Sequence, residues 1–295
     1  MSRHTVIKKR WDDHLVDILA NTISVLFALV CILPFLLVLV YSITPYHLYL
    51  QNHFDLFPDE VTLDAYRMVI RYKYMWTGYR NTIFISLTGT ILSMLLLTLS
   101  AYPLTHHGLP GNKIYMKLWI VTMFFSGGMI PDYMLIRSLG LLNSLWAIIL
   151  PGLLGCYNLI LMRNYMESLP HSLEEAATID GANEFQLLFR VVLPLCKPIL
   201  ATLGLFTIVG YWNSYFSSIL YITKREKWPL QLVIRQLLFE ATDEIQTGTA
   251  SEEYVAAPFV LRMASIVVSI VPIMLVYPFL QRYFTTGLVL GGVKE

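Results

Sequence analysis

The chain has 295 residues, with 21 Lys and Arg against 20 Asp and Glu, 56% hydrophobic residues and a mean hydropathy of +0.59. That composition excludes disordered and collagenous classes, and a formal net charge of +1 excludes a nucleic-acid binder built on a basic surface. The charges are unevenly placed: residues 18–54, 81–112, 118–131, 138–162, 198–223 and 263–281 contain no Asp, Glu, Lys or Arg, so helices there have no charged face to turn to water.

The Met1 to Arg10 tail carries Arg3, Lys8, Lys9 and Arg10, and the apolar run behind it is too long for a signal peptide, so it is expected to stay as an anchor. Crossing about 30 Å of hydrocarbon takes roughly 20 apolar residues, and five of the six runs meet that length directly. The run at 118–131 has only 14 residues and is expected to extend from about Tyr115 to Ile136, with Lys117 and Asp132 towards its ends. The expected fold is an all-α membrane protein of six transmembrane helices. Its organisation reads as residues 1–80 (tail, first span and external segment), 81–287 (core transmembrane domain with the loop 169–198) and 288–295 (a second tail). The basic tail places both termini in the cytoplasm. Residues 104–114 and 163–197 are then inside, and 44–80, 132–144 and 224–262 outside. In the last of these, Leu232 to Glu240 is expected to be an amphipathic helix. Cys31, Cys156 and Cys196 show no ligand-like spacing and read as small core hydrophobes, with no metal site.

The longest inner loop, residues 169–198, carries the strongest local signals. Ser172 with Glu175 predicts a capping box, with Glu174 and Glu175 on the positive end of the helix dipole. Gly181 supplies the left-handed stop. Asn183 with Gln186 predicts a second cap, Pro194 a closure, and Phe185, Leu188, Phe189 and Val192 a packing face. Leu173, Ala176 and Ala177 turn to one side, where alanine admits close approach. Helices this short need docking to persist. The residues alone leave two readings open: a contact element, or amphipathic helices lying on the membrane surface.

The segment Gly210 to Ser218 sits near the middle of the fifth run. On a continuous helix, Tyr211 and Tyr215 share a face, as do Asn213 and Ser217. Rings beside hydrogen-bonding groups suit a sugar, yet the same groups serve equally well to bond neighbouring helices, and both readings stay open. No GxxxxGK[ST], HExxH or GxSxG pattern occurs, so no enzymatic chemistry has support in the sequence. The spans also lack ionisable groups at their centres, as an ion-coupled carrier, the alternative reading, usually requires.

Glu175-Ala176-Ala177, then Asp180-Gly181-Ala182, Phe189, Pro194 and Pro198 resemble the EAA motif of permease subunits of ATP-binding-cassette importers. Asn81-Thr82, AYPL at 101–104, LPG at 109–111, MFFSGGMIP at 123–131, Trp212-Asn213 and the ending from Gln281 are similar to carbohydrate permeases of the maltose type. Within them they resemble most the subgroup handling oligosaccharides and polysaccharide fragments, the alginate importer included. The resemblance implies a type I importer fold in which the first short helix couples to an ATPase, through Glu174, Glu175, Ala176, Ala177, Asp180, Gly181 and Ala182. It also implies a contact role for Gly291 and Gly292 in the tail. Tyr211, Asn213, Tyr215 and Ser217 are the candidate substrate pathway. The implied partners are a second permease, two ATPase subunits that bind ATP and Mg, an extracytoplasmic substrate-binding protein, a carbohydrate and the lipid bilayer of a bacterial inner membrane. No cofactor is expected in this chain and no nucleic acid.

Overall fold

The structure, a computed structural model, describes residues 11–51, 57–106, 108–246 and 258–287, and every regular element among them is helical. The chain forms two compact units, residues 1–69 with 240–268 and residues 70–239 with 269–295.

The first unit is led by α1 (Trp11–Ile43), whose side chains from Ile18 to Leu36 are all exposed, the state of a helix solvated by lipid. Its exposed residues include Cys31, which is therefore no core residue. Beyond it lie α2 (Tyr46–Gln51) and α3 (Asp64–Arg71). Ser42 and Tyr66 share a hydroxyl hydrogen bond of 2.6 Å, and the Thr62 amide donates to the Ile43 carbonyl at 2.7 Å.

The second unit is built on α4 (Met75–Thr105), a 31-residue helix long enough to cross a bilayer unaided. Then come α5 (Asn112–Phe124) and α6 (Met129–Ser138), which meet at 112° rather than forming one helix from Tyr115 to Ile136. Two glycines cause the break. Gly128 sits at φ +88, where only glycine rests without strain, and its amide donates to Ser126 Oγ at 3.2 Å. A second broken pair follows, α7 (Trp146–Ile149) running into a 3₁₀ turn through Gly152, then α8 (Cys156–Glu167), bent by 47°.

Next are α9 (His171–Ile179), α10 (Glu184–Gln186), a π-helical turn at Leu187–Val192, α11 (Leu193–Leu195) and α12 (Lys197–Trp212). The stretch Glu184–Leu195 is turned 78° from α12 at Cys196. After Asn213 and Ser214 the chain re-enters a helix, α13 (Tyr215–Tyr221), followed by α14 (Leu230–Gln246) and α15 (Pro258–Gly287). The amphipathic helix expected at Leu232 to Glu240 lies within α14, which buries Leu230, Leu232, Val233, Ile234 and Leu237. Among the described residues, three helices are long and apolar enough to cross a membrane, six if each bent pair counts as one span.

The core of the second unit joins α4, α8 and the π turn: Leu97, Ala101, Tyr102, Leu159, Met162, Leu188 and Val192 bury one another. A second cluster around Ile85, Ile148, Ile149 and Tyr221 fills the other end.

Candidate functional site

The helix α9 starts one residue before the expected cap. Pro170 is its N-cap, with no side-chain hydrogen bond, so Ser172 stands inside the first turn and the Ser172–Glu175 box does not form. Pro170 has φ −62 but an extended ψ of 117, so it stands outside the helix as its cap and the helix begins at His171. Glu174 still lies in the first turn, where the dipole favours it.

The far end of α9 follows the sequence expectation closely. Gly181 has φ +81, its amide donates to Thr178 O at 3.0 Å, and the Ala182 amide donates to Ala177 O at 3.0 Å. These two bonds are the pair that define a Schellman cap, and they satisfy carbonyls the helix would otherwise leave bare. The second expected cap also forms: Asn183 Oδ1 accepts from the Gln186 amide at 2.9 Å, and the Asn183 amide donates to Gln186 Oε1 at 3.1 Å.

The expected packing face is only half realised. Leu188 and Val192 are buried together with Leu187, but Phe185 is 72% exposed and Phe189 44%. The π turn bonds i to i+5 instead of i to i+4, so the stripe rotates away from 3.6-residue periodicity and Leu187 takes the place expected for Phe185. Pro194 does not close the helix either, since it lies within α11 and the break falls at Cys196.

Docking is polar as well as apolar. Tyr102 on α4 donates its hydroxyl to Glu184 Oε2 at 3.0 Å. Arg163 on α8 donates from Nε to the Leu104 carbonyl at the end of α4 at 2.9 Å and from a terminal nitrogen to Glu167 at 2.9 Å. A guanidinium at this carbonyl end suits the negative end of the α4 dipole. Ala177 packs inwards against the core, whereas Leu173, Ile179 and Phe185 are exposed, Ile179 by 86%. The result is a largely exposed helix, anchored through Ala177 and through the α10 segment that Tyr102 holds at Glu184, that shows apolar side chains to the outside.

The candidate pathway is rearranged by the break after Trp212. Asn213 and Ser214 are not helical, so the i to i+4 pairings of Tyr211 with Tyr215 and Asn213 with Ser217 do not exist. Tyr211 is buried and donates to the Ile149 carbonyl at 2.9 Å, beside the α7–α8 break. Its ring lies against Gly89 and Gly152, where a Cβ would meet it at 2.6 Å and 3.0 Å respectively. Tyr211 thus bonds across from α12 to α7. Asn213 is exposed and lies 3.5 Å from Gln231 Nε2, while Tyr215 lies under the Arg235 guanidinium. Ser217 is half-buried. A cavity of about 260 Å³ opens instead between α4, α12 and α15, bounded by Tyr79, Ser86, Trp212 and Pro272. The Ser86 hydroxyl has no hydrogen-bond partner among the described residues.

At the end of this unit away from α9, sequence reasoning missed an asparagine. Asn143, at φ +58, accepts at Oδ1 from the Thr223 amide (2.8 Å), the Thr223 hydroxyl (2.9 Å) and the Lys224 amide (2.9 Å), and its carbonyl accepts from Lys227 Nζ at 2.7 Å. Asn81 donates to the carbonyls of Glu226 and Trp228 at 3.0 and 3.1 Å, and Thr82 Oγ1 accepts from the Leu230 amide at 2.8 Å. The residues 222–230 are therefore tied along their length. The signal available in sequence was Asn143 itself, a residue type that tolerates the left-handed region, set between Leu142 and Ser144 in the loop between α6 and α7. Gly291 and Gly292 lie outside the described residues. Among the described residues no group of His, Cys, Asp or Glu could hold a metal.

Residues 5–289 match the family described as the binding-protein-dependent transport system inner membrane component. The polygalacturonan/rhamnogalacturonan transport system permease protein YtcP of Bacillus subtilis strain 168 is 40% identical over 285 residues, covering 96% of this chain and 99% of its own. The arabinooligosaccharides transport system permease protein AraQ of Halalkalibacterium halodurans is 29% identical over 272 residues, covering 90% of this chain and 92% of its own. Among solved structures, a chain of a bacterial ABC transporter involved in the import of the acidic polysaccharide alginate superposes with a TM-score of 0.82 at 33% identity, covering 95% of this chain and 100% of that one.

Proposed function

The chain belongs to the binding-protein-dependent transport system inner membrane components, and from that premise we propose that it forms one half of the translocation pathway of an importer for an oligosaccharide or polysaccharide fragment. It is a permease subunit of an ATP-binding-cassette importer, an integral protein of the inner membrane. The carbohydrate class follows from the relatives, whose names give polygalacturonan/rhamnogalacturonan and arabinooligosaccharides as cargo.

The observation that carries the mechanism is the α9 unit. The α9–α10 unit, capped at Gly181, attached by Tyr102 to Glu184 on α10 and by Ala177 to the shared core, moves as one piece with α4 and α8. Its exposed Leu173, Ile179 and Phe185 offer an apolar face that a partner ATPase grips. ATP and Mg bind in two such partner subunits. Closure of that pair pushes α9, and the rigid attachment carries the displacement into the spans. In this reading α9 and both termini face the cytoplasm. A second permease completes the pathway, and a substrate-binding protein delivers cargo at the opposite end. Gly291 and Gly292 reach towards the ATPase pair.

Replacing Gly181 with Val forces a β-branched residue into the left-handed region, at a cost of about 1–2 kcal/mol, and opens the cap. The expected outcome in reconstituted vesicles is continued ATP hydrolysis with less uptake per ATP. Unchanged coupling would remove α9 from the mechanism.

A further inference from the structure

The α7–α8 pair is a span bent by 47°, so α8 begins inside the span rather than at its end. The first four amides of a helix have no partner along it, and hydrocarbon offers none. A serine, threonine, asparagine or aspartate side chain commonly caps such a start. Here the N-cap is Gly155, which has no side chain to cap with, and the Leu159 amide is the first to bond back, to the Gly155 carbonyl at 3.0 Å. The amides of Cys156, Tyr157 and Asn158 precede it.

A small cavity lies at that start. Ser93 on α4, Asn158 in the first turn of α8, Thr207 on α12 and the backbone of Gly152 and Gly155 bound it. Its volume is about 10 Å³, close to the least that holds one water molecule and far too small for a sugar ring. Glycine keeps the place open, since a Cβ on Gly152 would meet the Tyr211 hydroxyl at 3.0 Å.

Ser93 is an independent sign of a ligand. It is 3% exposed, and its hydroxyl makes no hydrogen bond among the described residues. Neighbouring hydroxyls are committed elsewhere. Thr98 donates back to the Met94 carbonyl at 2.8 Å and Thr207 to the Leu203 carbonyl at 2.8 Å. Tyr211, which stands near Ser93, gives its proton to the Ile149 carbonyl at 2.9 Å. A buried hydroxyl left unmet is costly, and so are unmet amides at a helix start. One small molecule that both accepts and donates answers both needs.

We propose that a single water molecule binds at the start of α8, held by Ser93 Oγ and the first-turn amides, and serves as the cap that Gly155 does not provide. It joins α4 to α8 where the span bends, and both helices contribute to the core against which Ala177 of α9 packs. The inference goes beyond the permease reading and requires of it only that the bent pair lies in the bilayer.

The test uses the complete assembly of both permeases and both ATPases in nanodiscs. A map fine enough to show ordered water is combined with amide exchange of residues 156–158. The expected result is a water peak within hydrogen-bond distance of Ser93 Oγ and of one of these amides. Ser93→Ala should quicken their exchange about fivefold, whereas Ser86→Ala, which removes another buried hydroxyl of α4, should leave it unchanged. A Cβ at Gly155 meets nothing within 4 Å, so Gly155→Ser fits and supplies a cap of its own. In that variant the peak should vanish, the amides should stay protected, and adding Ser93→Ala should have no further effect. A Ser93 hydroxyl bonded back to the Gly89 carbonyl with no peak beside it overturns the proposal, as does unchanged exchange in assembled Ser93→Ala. Should Ser93→Ala fail to assemble, Gly155→Ser decides: a peak that persists between Ser93 and the α8 amides overturns the capping role, and its loss with protected amides supports it.

Discussion

Asn143 shows how much one side chain can organise. Its amide oxygen accepts three hydrogen bonds, and its backbone occupies a region that costs other L-residues about 1–2 kcal/mol. Replacement by Ala removes all three acceptances and adds the backbone strain, whereas Asp keeps an oxygen in place and tolerates the same φ. We therefore expect Asn143→Ala to lower the thermal midpoint of the purified assembly clearly, by an effect of about 1–3 kcal/mol, and Asn143→Asp to lower it much less. Equal losses would mean that the hydrogen bonds at Oδ1 contribute little. Tyr211 makes the complementary case. Its hydroxyl reaches a carbonyl beside a helix break only because Gly89 and Gly152 leave room for the ring.

At the scale of elements, the breaks decide the architecture. Glycines at 127 and 128 separate α5 from α6, the Pro151–Gly155 stretch bends the next span, and Asn213–Ser214 divides α12 from α13. Each break frees backbone groups that need partners, and Ser126 and Tyr211 supply two of them. The short helix α3 is held differently, by a polar lock at its start. Thr62 Oγ1 donates to Asp64 Oδ2 at 2.7 Å and Arg67 donates to Oδ1 at 3.0 Å. The Thr62 hydrogen bond is the main cause that holds the Asp64 carboxyl below its ordinary value; burial opposes it, and the Arg67 charge and hydrogen bond add to the lowering. A carboxyl lowered in the folded state contributes stability above its unfolded pKa, and that contribution is lost as pH falls through the lowered value. Amide exchange in the first turn of α3 should therefore quicken, beyond its intrinsic pH dependence, as pH drops below about 4. Asp64→Asn should abolish that extra dependence, and its persistence in the variant would assign it to another group.

For the whole molecule the decisive question is which end faces which compartment. With Cys31, Cys156 and Cys196 replaced, a cysteine at Thr178 on α9 and one at Glu226 in the tied segment lie at opposite ends of one compact unit. A membrane-impermeant maleimide should label position 226 in intact cells and position 178 only after permeabilisation. The reverse pattern would invert the topology and remove the coupling role of α9.

By itself the sequence determined the class of the protein: apolar runs without charge are suited to lipid, and the residues from Glu175 to Ala182 carry the resemblance to the permease motif. It also determined local stops that depend on nearest neighbours, such as the glycine cap at 181 and the Asn183–Gln186 box. Tertiary structure decided what periodicity assumed. A helix had to continue through Asn213 for the Tyr211–Tyr215 face to exist, and had to keep 3.6 residues per turn for Phe185 to be buried, and neither holds. The capping box at Ser172 failed for the same kind of reason, because the helix is capped at Pro170, two positions earlier. The tied segment 222–230 was least legible of all, because its partners Asn81 and Asn143 lie scores of residues away in the chain and only the fold brings them to it.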